Sequence, residues 1–217
     1  MANIAVLLSG SGVYDGAEVN EVVLTLLHIE KNDGHYQCFA PNIDQLHTIN
    51  HVSGDTTNET RNVLEESARI ARGDVKPLEE LKVDEFDALI VPGGFGVAKN
   101  FCDFAVQGPR MEVNSDVLAV CKSFHDAKKP AGYMCIAPVL LPKVYGEGIK
   151  CTAGHDQEVA HAIEAMGAVH VPCEVDDIVV DDTFNVVTTP AYMLAKCVSE
   201  AEHGISKLVS RVITMAG

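Results

Sequence analysis

Residues 4–12 read IAVLLSGSG, a run of five apolar residues that passes directly into a glycine-rich turn. Such a run is typical of a strand that is buried on both faces of a parallel sheet. Apolar residues then recur with helical spacing from Ala17 to Ile29, and this pattern predicts a helix that ends at Asn32-Asp33-Gly34. Strand, turn and helix in this order form the unit from which parallel α/β sheets are built.

The alternation of strand and helix patterns continues to the end of the chain. The further predicted strands are 36–40, 86–91, 131–134, 149–152, 169–171, 178–180 and 186–188. The further predicted helices are 58–72, 114–128, 136–141, 155–166 and 193–215. This order indicates an α/β fold in which helices cover both faces of one open, mostly parallel sheet. Residues 42–57 are polar and too long for an ordinary connection, so we interpret them as an insertion.

The composition favours one folded domain whose partners are small solutes. The chain has 217 residues and a formal net charge of −15, with 16 Lys plus Arg against 31 Asp plus Glu. This length suits one domain over residues 1–217, whose core needs no disulfide or metal. The negative charge, with no cluster of basic residues, predicts that nucleic acid is not a partner. No apolar run approaches the ~20 residues of a membrane span, so no membrane partner is expected.

The cysteines and the first residues predict a compartment. Seven cysteines are scattered through apolar stretches, and this odd number without a Cys-x-x-Cys pair predicts free thiols. Residues 1–8 show neither the basic start of a signal peptide nor the Arg and Ser content of a transit peptide. We therefore expect a reducing cytosol, that is, cytoplasmic localisation. No two Cys or His residues share the spacing of a zinc site, so no metal is expected.

Cys135 lies where a predicted strand passes into a predicted helix, in the segment GYMCIAP at residues 132–138. Glycine and small residues around such a position are typical of a nucleophile elbow, a tight turn that presents one side chain above the sheet edge. The start of a helix beneath the sulfur would favour the thiolate form. We therefore predict that Cys135 is a nucleophile and that the other six cysteines are structural.

The segment PGGFG at residues 92–96 follows another buried strand. Ligands of open parallel sheets bind at the carboxyl ends of the strands, which are the ends at which this turn and the elbow lie. Glycines there allow backbone N–H groups to approach a ligand closely. We expect the N–H groups of Gly94 and Ile136 to form an oxyanion site beside the Cys135 sulfur, with Gly93 in the same turn.

Two kinds of side chain are candidates to assist the thiol. Glu18 and Glu21 lie one turn apart at the start of the first helix, from which a carboxyl group can reach the neighbouring strand end. His155 follows the strand after the elbow helix, so a Cys-His pair on adjacent strand ends is one interpretation and an ordinary surface histidine is the other.

The first turn also contains the pattern Gly10-x-Gly12-x-x-x-Gly16, which is similar to a dinucleotide-binding turn. Such a site needs an acidic residue at the end of the second strand to bind the ribose, and CFAPN at residues 38–42 contains none. No cofactor is therefore expected.

Six segments that span nearly the whole chain carry a family resemblance, and they are residues 9–18, 59–64, 92–100, 135–138, 175–181 and 188–193. Together with the elbow, they resemble the class I glutamine amidotransferase-like superfamily, which includes the PfpI proteases and the parkinsonism-associated deglycases. Within it the resemblance is strongest to the ElbB glyoxalase family, formerly called sigma cross-reacting or enhancing-lycopene-biosynthesis proteins.

The resemblance implies a flavodoxin-like three-layer α/β/α sandwich of the amidotransferase-like type, a homodimer and a link to isoprenoid biosynthesis. The implied activity is that of a lyase, a cofactor-independent glyoxalase that converts glyoxal or methylglyoxal to the hydroxy acid without glutathione. The resemblance places the nucleophile at Cys135 and favours Glu21 over Glu18 as the carboxyl group at the thiol. Ser11 matches a loop position that is often Cys in the family and is a candidate substrate-binding residue, whereas the position of His155 is not reliably His.

In the mechanism that we hypothesise, a protonated Glu21 lowers the pKa of the Cys135 thiol. The thiolate attacks an aldehyde carbon, and proton transfer by Glu21 or His155 turns the hemithioacetal into a thioester that water hydrolyses. One alternative is a redox-sensing or stress-protective binding protein in which Cys135 is oxidised. Another is a glutaminase-like partner domain, whose late His-x-Glu dyad has no counterpart in TTPAY at residues 188–192.

Overall fold

The computed structural model describes all 217 residues, which form nine strands and seven α-helices. The strands are β1 Asn3–Leu7, β2 His35–Ala40, β3 Val75–Pro77, β4 Ala88–Val91, β5 Ala131–Met134, β6 Lys150–Cys151, β7 Val169–His170, β8 Val179–Asp181 and β9 Val186–Thr189. The helices are α1 Val19–Lys31, α2 Val63–Ile70, α3 Phe104–Gln107, α4 Ser115–Asp126, α5 Leu141–Tyr145, α6 Gln157–Ala165 and α7 Val198–Ala216. None of these helices combines the length and the apolar character that a membrane crossing requires.

Seven of the strands form one sheet in the order β3-β2-β1-β4-β5-β9-β8. All neighbouring pairs are parallel except β8 and β9, which form the predicted antiparallel hairpin. On β5, Gly132 faces Leu208 of α7, whereas the next residue, Tyr133, interacts with Cys121 of α4. Successive residues of a strand point to opposite faces, so these helices cover opposite sides of the sheet. The structure confirms the predicted three-layer α/β/α sandwich.

One sheet assignment from the sequence is wrong, and it concerns the strand before His155. β6 is not in the main sheet but pairs with β7 in a separate two-stranded sheet. On the side away from β4, the neighbour of β5 is instead β9, which comes later in the chain. β9 fits this interior position because all four of its side chains are buried, whereas Lys150 of β6 is exposed. His155 therefore does not follow a strand adjacent to Cys135.

Two helices begin later in the chain than the sequence patterns predict. α2 begins at Val63, later than predicted, because the Asn62 side chain accepts the N–H of Glu65 at 3.1 Å. α7 likewise begins at Val198 rather than near Met193, since residues 191–193 form a separate 3-10 turn.

The insertion of residues 42–57 packs against the turn that follows β1. A carboxylate oxygen of Asp15 accepts the N–H of Ile49 at 2.6 Å, and the Nε2 atom of His51 accepts the N–H of Tyr14 at 3.2 Å. These bonds attach the insertion to the carboxyl edge of the sheet, where the glycine-rich turns also lie.

Candidate active site

Cys135 follows β5 and adopts a backbone conformation that is rare for a residue with a side chain. Its φ angle is +60°, in the left-handed region. Its N–H donates to the carbonyl oxygen of Thr189 at the end of β9, at 3.1 Å, which anchors the turn to the neighbouring strand. Strained turns of this kind are characteristic of nucleophile elbows, and they persist only where the surrounding structure imposes them.

Glu21 lies in the first turn of α1 and is completely buried. Its Oε2 atom accepts the N–H of Gly93 at 2.8 Å, and its Oε1 atom accepts the N–H of Tyr192 at 3.2 Å. With both oxygens held by backbone donors from two different loops, the carboxyl group is fixed in contact with the thiol of Cys135.

Glu18 has a different position from Glu21. Its Oε2 atom accepts the N–H of Glu21 at 2.7 Å, so it caps the start of α1. Its own N–H donates to the carbonyl oxygen of Gly93 at 3.0 Å. Of the two glutamates, Glu21 contacts the sulfur and Glu18 supplies the helix cap and a neighbouring negative charge.

The two glycines after β4 allow this close arrangement. A Cβ atom added to Gly93 would lie 2.5 Å from the Cβ of Cys135 and 2.8 Å from Oε2 of Glu21. A Cβ atom on Gly94, whose φ is +98°, would lie 2.4 Å from the backbone nitrogen of Glu18. Since no side chain fits at either position, glycine is required for the carboxyl group, the sulfur and the loop to meet.

The N–H groups of Gly94 and Ile136 both interact with the sulfur of Cys135. They are the two donors that the sequence predicted at this place, and they come from the loops after β4 and β5. Fixed N–H dipoles in a buried site stabilise negative charge, whether on a thiolate or on an oxygen of a bound substrate.

Burial dominates the proton affinities of the thiol and the carboxyl group. Burial first, and then the negative charge of Glu21, raises the pKa of the Cys135 thiol well above its ordinary value, while the N–H groups of Gly94 and Ile136 lower it. Burial and the charge of Glu18 raise the pKa of Glu21 to about 7. The expectation of a lowered thiol pKa is therefore wrong, and burial is the larger cause. The geometry instead describes a coupled pair that shares one proton above neutral pH.

Cys135 lines a cavity of about 330 Å³. Its wall is mostly apolar, and it is formed in large part by Val13, Phe95, Phe104, Val159 and Met193. The acidic residues Asp156 and Glu158 also line it, and no Lys, Arg or His side chain does.

Two predicted site residues lie away from this arrangement. The imidazole of His155 is about half exposed and faces Glu174, with Nε2 3.5 Å from Oε1, and it does not line the cavity. Ser11 is half-buried in the loop after β1 and is likewise absent from the cavity wall. Their predicted roles have no geometric support at the sulfur. In the whole chain, no group of three or more His, Cys, Asp or Glu residues is arranged to hold a metal ion.

Sequence reasoning assigned no role to Tyr192, although its backbone N–H holds Glu21 and its side chain lines the cavity. Tyr192 lies just after β9, the strand next to β5, so its loop shares the carboxyl edge with Cys135. The sequence signal that could have indicated Tyr192 is Pro190, which directly follows VVTT at residues 186–189. A proline there marks the end of a strand, at the edge of the sheet where ligands bind.

Comparison with known proteins assigns the family. A human protein named "Glutamine amidotransferase-like class 1 domain-containing protein 3, mitochondrial" is 45% identical over 226 aligned positions, which cover 100% of this chain and 84% of the relative. The rat "ES1 protein homolog, mitochondrial" is 44% identical and covers 100% of this chain and 85% of the relative. The chain belongs to the glutamine amidotransferase-like class 1 family. No family model matches the chain.

Solved structures agree with this family. The crystal structure of an "isoprenoid biosynthesis protein with amidotransferase-like domain" from Ehrlichia chaffeensis is 35% identical, has a TM-score of 0.94 and matches over 100% of both chains. Glyoxalase III from Candida albicans is only 13% identical, with a TM-score of 0.64 over 99% of this chain and 97% of the other. The second likeness concerns the fold alone.

The expectation of cytoplasmic localisation is wrong, because the human and rat relatives are both named mitochondrial proteins. Free cysteines indicate a reducing compartment, and they do not by themselves distinguish the cytosol from other reducing compartments. All seven cysteines are indeed free, and six of them are buried.

Proposed function

We propose that this protein is a glutathione-independent glyoxalase, a lyase of the ElbB type that converts glyoxal or methylglyoxal to the hydroxy acid. Cys135 is the nucleophile in this proposal, and Glu21 is the acid and base. The observation that carries the proposal is the fully buried Glu21 carboxyl group, held by two backbone N–H groups in contact with the Cys135 thiol.

The first step forms a hemithioacetal. When the shared proton lies on Glu21, the Cys135 sulfur is a thiolate and adds to the aldehyde carbon, so that a C–S bond forms and the carbonyl electron pair moves to oxygen. The N–H groups of Gly94 and Ile136 stabilise this oxygen, which takes the proton from Glu21.

The second step exchanges oxidation states within the substrate. Glu21 removes the proton from the former aldehyde carbon and returns a proton to the neighbouring carbon, while the hydroxyl proton of the hemithioacetal passes to the neighbouring carbonyl oxygen. The first carbon is thereby oxidised to a thioester while the second is reduced to an alcohol, so no external oxidant is needed. Water then hydrolyses the thioester, which releases the hydroxy acid and regenerates the thiol.

The contacts of Cys135 disfavour the other enzymes of this superfamily. Cysteine peptidases and glutaminases activate their thiol with an imidazole. No histidine lines the cavity, and the side chain that contacts the sulfur is a carboxyl group. A redox sensor is also disfavoured, because a sensor thiol is exposed to solvent, whereas Cys135 is buried.

The decisive experiment incubates the purified protein with methylglyoxal and follows lactate by NMR. Cys135→Ala abolishes lactate formation while its circular dichroism stays native, and Cys197→Ser, which removes the exposed cysteine, keeps full activity. His155→Ala also keeps activity in this proposal, because Glu21 alone moves the proton. A fully active Cys135→Ala variant, or the absence of any hydroxy acid from the wild type, would refute the proposal.

The proposal also covers the oligomeric state, the location in the cell and the biosynthetic pathway. We propose a homodimer, supported by three exposed apolar side chains at four-residue spacing on α1, Val19, Val23 and Leu27. The names of the human and rat relatives support a mitochondrial location. The name of the Ehrlichia structure supports a link to isoprenoid biosynthesis, which the ElbB resemblance also implies.

A further inference from the structure

The cavity over Cys135 combines an apolar wall with charges of one sign only. Ten of its thirteen lining residues are hydrophobic, and its two charged side chains, Asp156 and Glu158, are both acidic. They lie at the start of α6, but their environments differ. The Oδ1 atom of Asp156 accepts the N–H of Val159 at 2.9 Å as a helix cap. Glu158 is exposed and belongs to none of the ion pairs of the chain.

We propose that this cavity selects uncharged α-oxoaldehydes with an apolar substituent and rejects those that carry a carboxylate or phosphate. Glu158 is the specificity-determining residue at the entrance. The choice of α-oxoaldehydes rests on the proposed function, whereas the charge selection applies to any electrophile that reaches the Cys135 sulfur.

Two physical effects support this selectivity. An anion that enters loses hydration against the apolar wall, and no basic side chain lines the cavity to compensate for that loss. The field of Glu158 also lowers the local concentration of anions at the entrance. An apolar group, by contrast, gains free energy when it leaves water for this wall.

The size of the cavity supports a substituent larger than a methyl group. Its volume of about 330 Å³ lies within the ~300–1,000 Å³ that is usual for sites enclosing drug-sized ligands. A two-carbon or three-carbon dicarbonyl would leave much of this space empty, whereas an aryl ring would fill more of it against lining residues such as Phe95, Phe104 and Val159.

The charge selection is tested without turnover by alkylation of Cys135. Iodoacetamide and iodoacetate are nearly isosteric and differ by one negative charge. In both reactions the sulfur forms a bond to the methylene carbon, iodide leaves and the thiol proton passes to solvent. The rate at the Cys135 peptide is measured by mass spectrometry and divided by the rate of free cysteine with the same reagent. The wild type is expected to favour iodoacetamide after this normalisation.

Substitution of Glu158 tests its role. Glu158→Lys is expected to raise the normalised iodoacetate rate about tenfold at low ionic strength, with the iodoacetamide rate unchanged, and added salt reduces the gain. Glu158→Gln gives a smaller gain in the same direction. Glu164→Lys is the matched control, because Glu164 is an exposed glutamate of the same helix that does not line the cavity. An equal gain from both lysine variants would show an effect of net charge and overturn the role of Glu158.

Measurements of turnover with neutral and carboxylated substrates distinguish a failure of the charge selectivity from a failure of the proposed glyoxalase activity. Phenylglyoxal is expected to be a better substrate than methylglyoxal, and 4-carboxyphenylglyoxal a poor one that Glu158→Lys improves. Equal kcat/KM for the neutral and carboxylated substrates, with equal normalised alkylation rates, would overturn the selectivity and leave the glyoxalase intact. Charge selection in alkylation without hydroxy acid from any substrate would overturn the glyoxalase and leave the selectivity.

Discussion

The Oε2 atom of Glu21 accepts the backbone N–H of Gly93 at 2.8 Å, although 72 residues separate them in the chain. Together with the bond from Tyr192 to Oε1, this contact fixes both oxygens of a carboxyl group that no solvent reaches. A carboxyl group held in this way cannot turn away from the thiol. Its position at the Cys135 sulfur is therefore part of the fold and does not depend on a bound ligand.

The first prediction concerns removal of this acid. We expect Glu21→Gln to lower kcat by about 10²- to 10⁴-fold, the usual contribution of a general acid or base. The amide also presents an NH₂ group to one of the two backbone donors, so one hydrogen bond is lost. Glu18→Gln is the control, since its amide oxygen still accepts the N–H of Glu21 and it does not contact the sulfur. Lactate formation from methylglyoxal measures both, and a Glu21→Gln variant within tenfold of the wild type would contradict the assignment.

The second prediction concerns pH. Because the pKa of Glu21 is raised to about 7, both members of the Glu21–Cys135 pair are protonated in acid and the pair holds one proton above this value. We expect kcat/KM, and the alkylation rate of Cys135, to rise with pH through about 7. Glu18→Gln moves this midpoint to lower pH, because the charge of Glu18 raises the pKa of Glu21. A midpoint that Glu18→Gln leaves in place would contradict the electrostatic role of Glu18.

The third prediction links the same carboxyl group to stability. The folded state keeps the Glu21 proton up to pH about 7, whereas the ordinary value of the group is 4.5. Between these values the folded state binds more protons than the unfolded state, so stability falls as pH rises, by about 3 kcal/mol for this group. Urea unfolding at several pH values measures the free energy of unfolding. We expect Glu21→Gln to lack this part of the pH dependence, and parallel curves for the two proteins would argue against a protonated Glu21.

Most of the sheet was predictable because its strands are runs of buried residues. β1, β4 and β5 are apolar or nearly so over their whole length and β9 begins with two valines, and each was found within a few residues of its observed bounds. β3 was missed since its three residues, Val75–Pro77, lie at the edge of the sheet and carry no periodic signal. The sequence predicted less well which strands, distant in the chain, pair with each other. β6 was predicted beside β5 but pairs with β7 in a separate sheet, so a Cys-His pair on adjacent strand ends has no basis.

In the candidate site, too, the features that depend on neighbouring residues in the chain were predicted, and those that depend on distant segments were not. The elbow at Cys135 and the glycines at 93 and 94 are local motifs, and the sequence identified them. The choice between Glu18 and Glu21 depends on which carboxyl group caps α1 and which turns inward, and only the resemblance favoured Glu21. The proton affinities depend on burial by distant loops, which no local pattern contains, and the direction of the thiol pKa shift was predicted wrongly for this reason.

The fourth prediction concerns the space at Gly93. An alanine there would place its Cβ 2.5 Å from the Cβ of Cys135, so either the elbow or the glycine turn must move. We expect Gly93→Ala to lower activity by about 10²-fold, because displacement by a fraction of an ångström misaligns the reacting groups. Gly146→Ala is the control: nothing lies within 4 Å of an added Cβ, and its φ of +87° with ψ of −163° lies in a region nearly exclusive to glycine, so its cost is about 1–3 kcal/mol of backbone strain. Kinetics with methylglyoxal compare the two, and equal activities would contradict the crowding at Gly93.

The fifth prediction tests the proposed homodimer. Val19, Val23 and Leu27 of α1 are 39%, 50% and 39% exposed and lie on one face of the helix, where a second copy would bury them. Val23→Glu is expected to leave the monomer folded, since the side chain faces solvent there, and to prevent association by burying an unpaired charge at the interface. Val52→Glu is the matched control, because Val52 is 98% exposed in the insertion, away from α1. Analytical ultracentrifugation reports the mass of each, and a dimeric Val23→Glu protein would rule out this face as the interface.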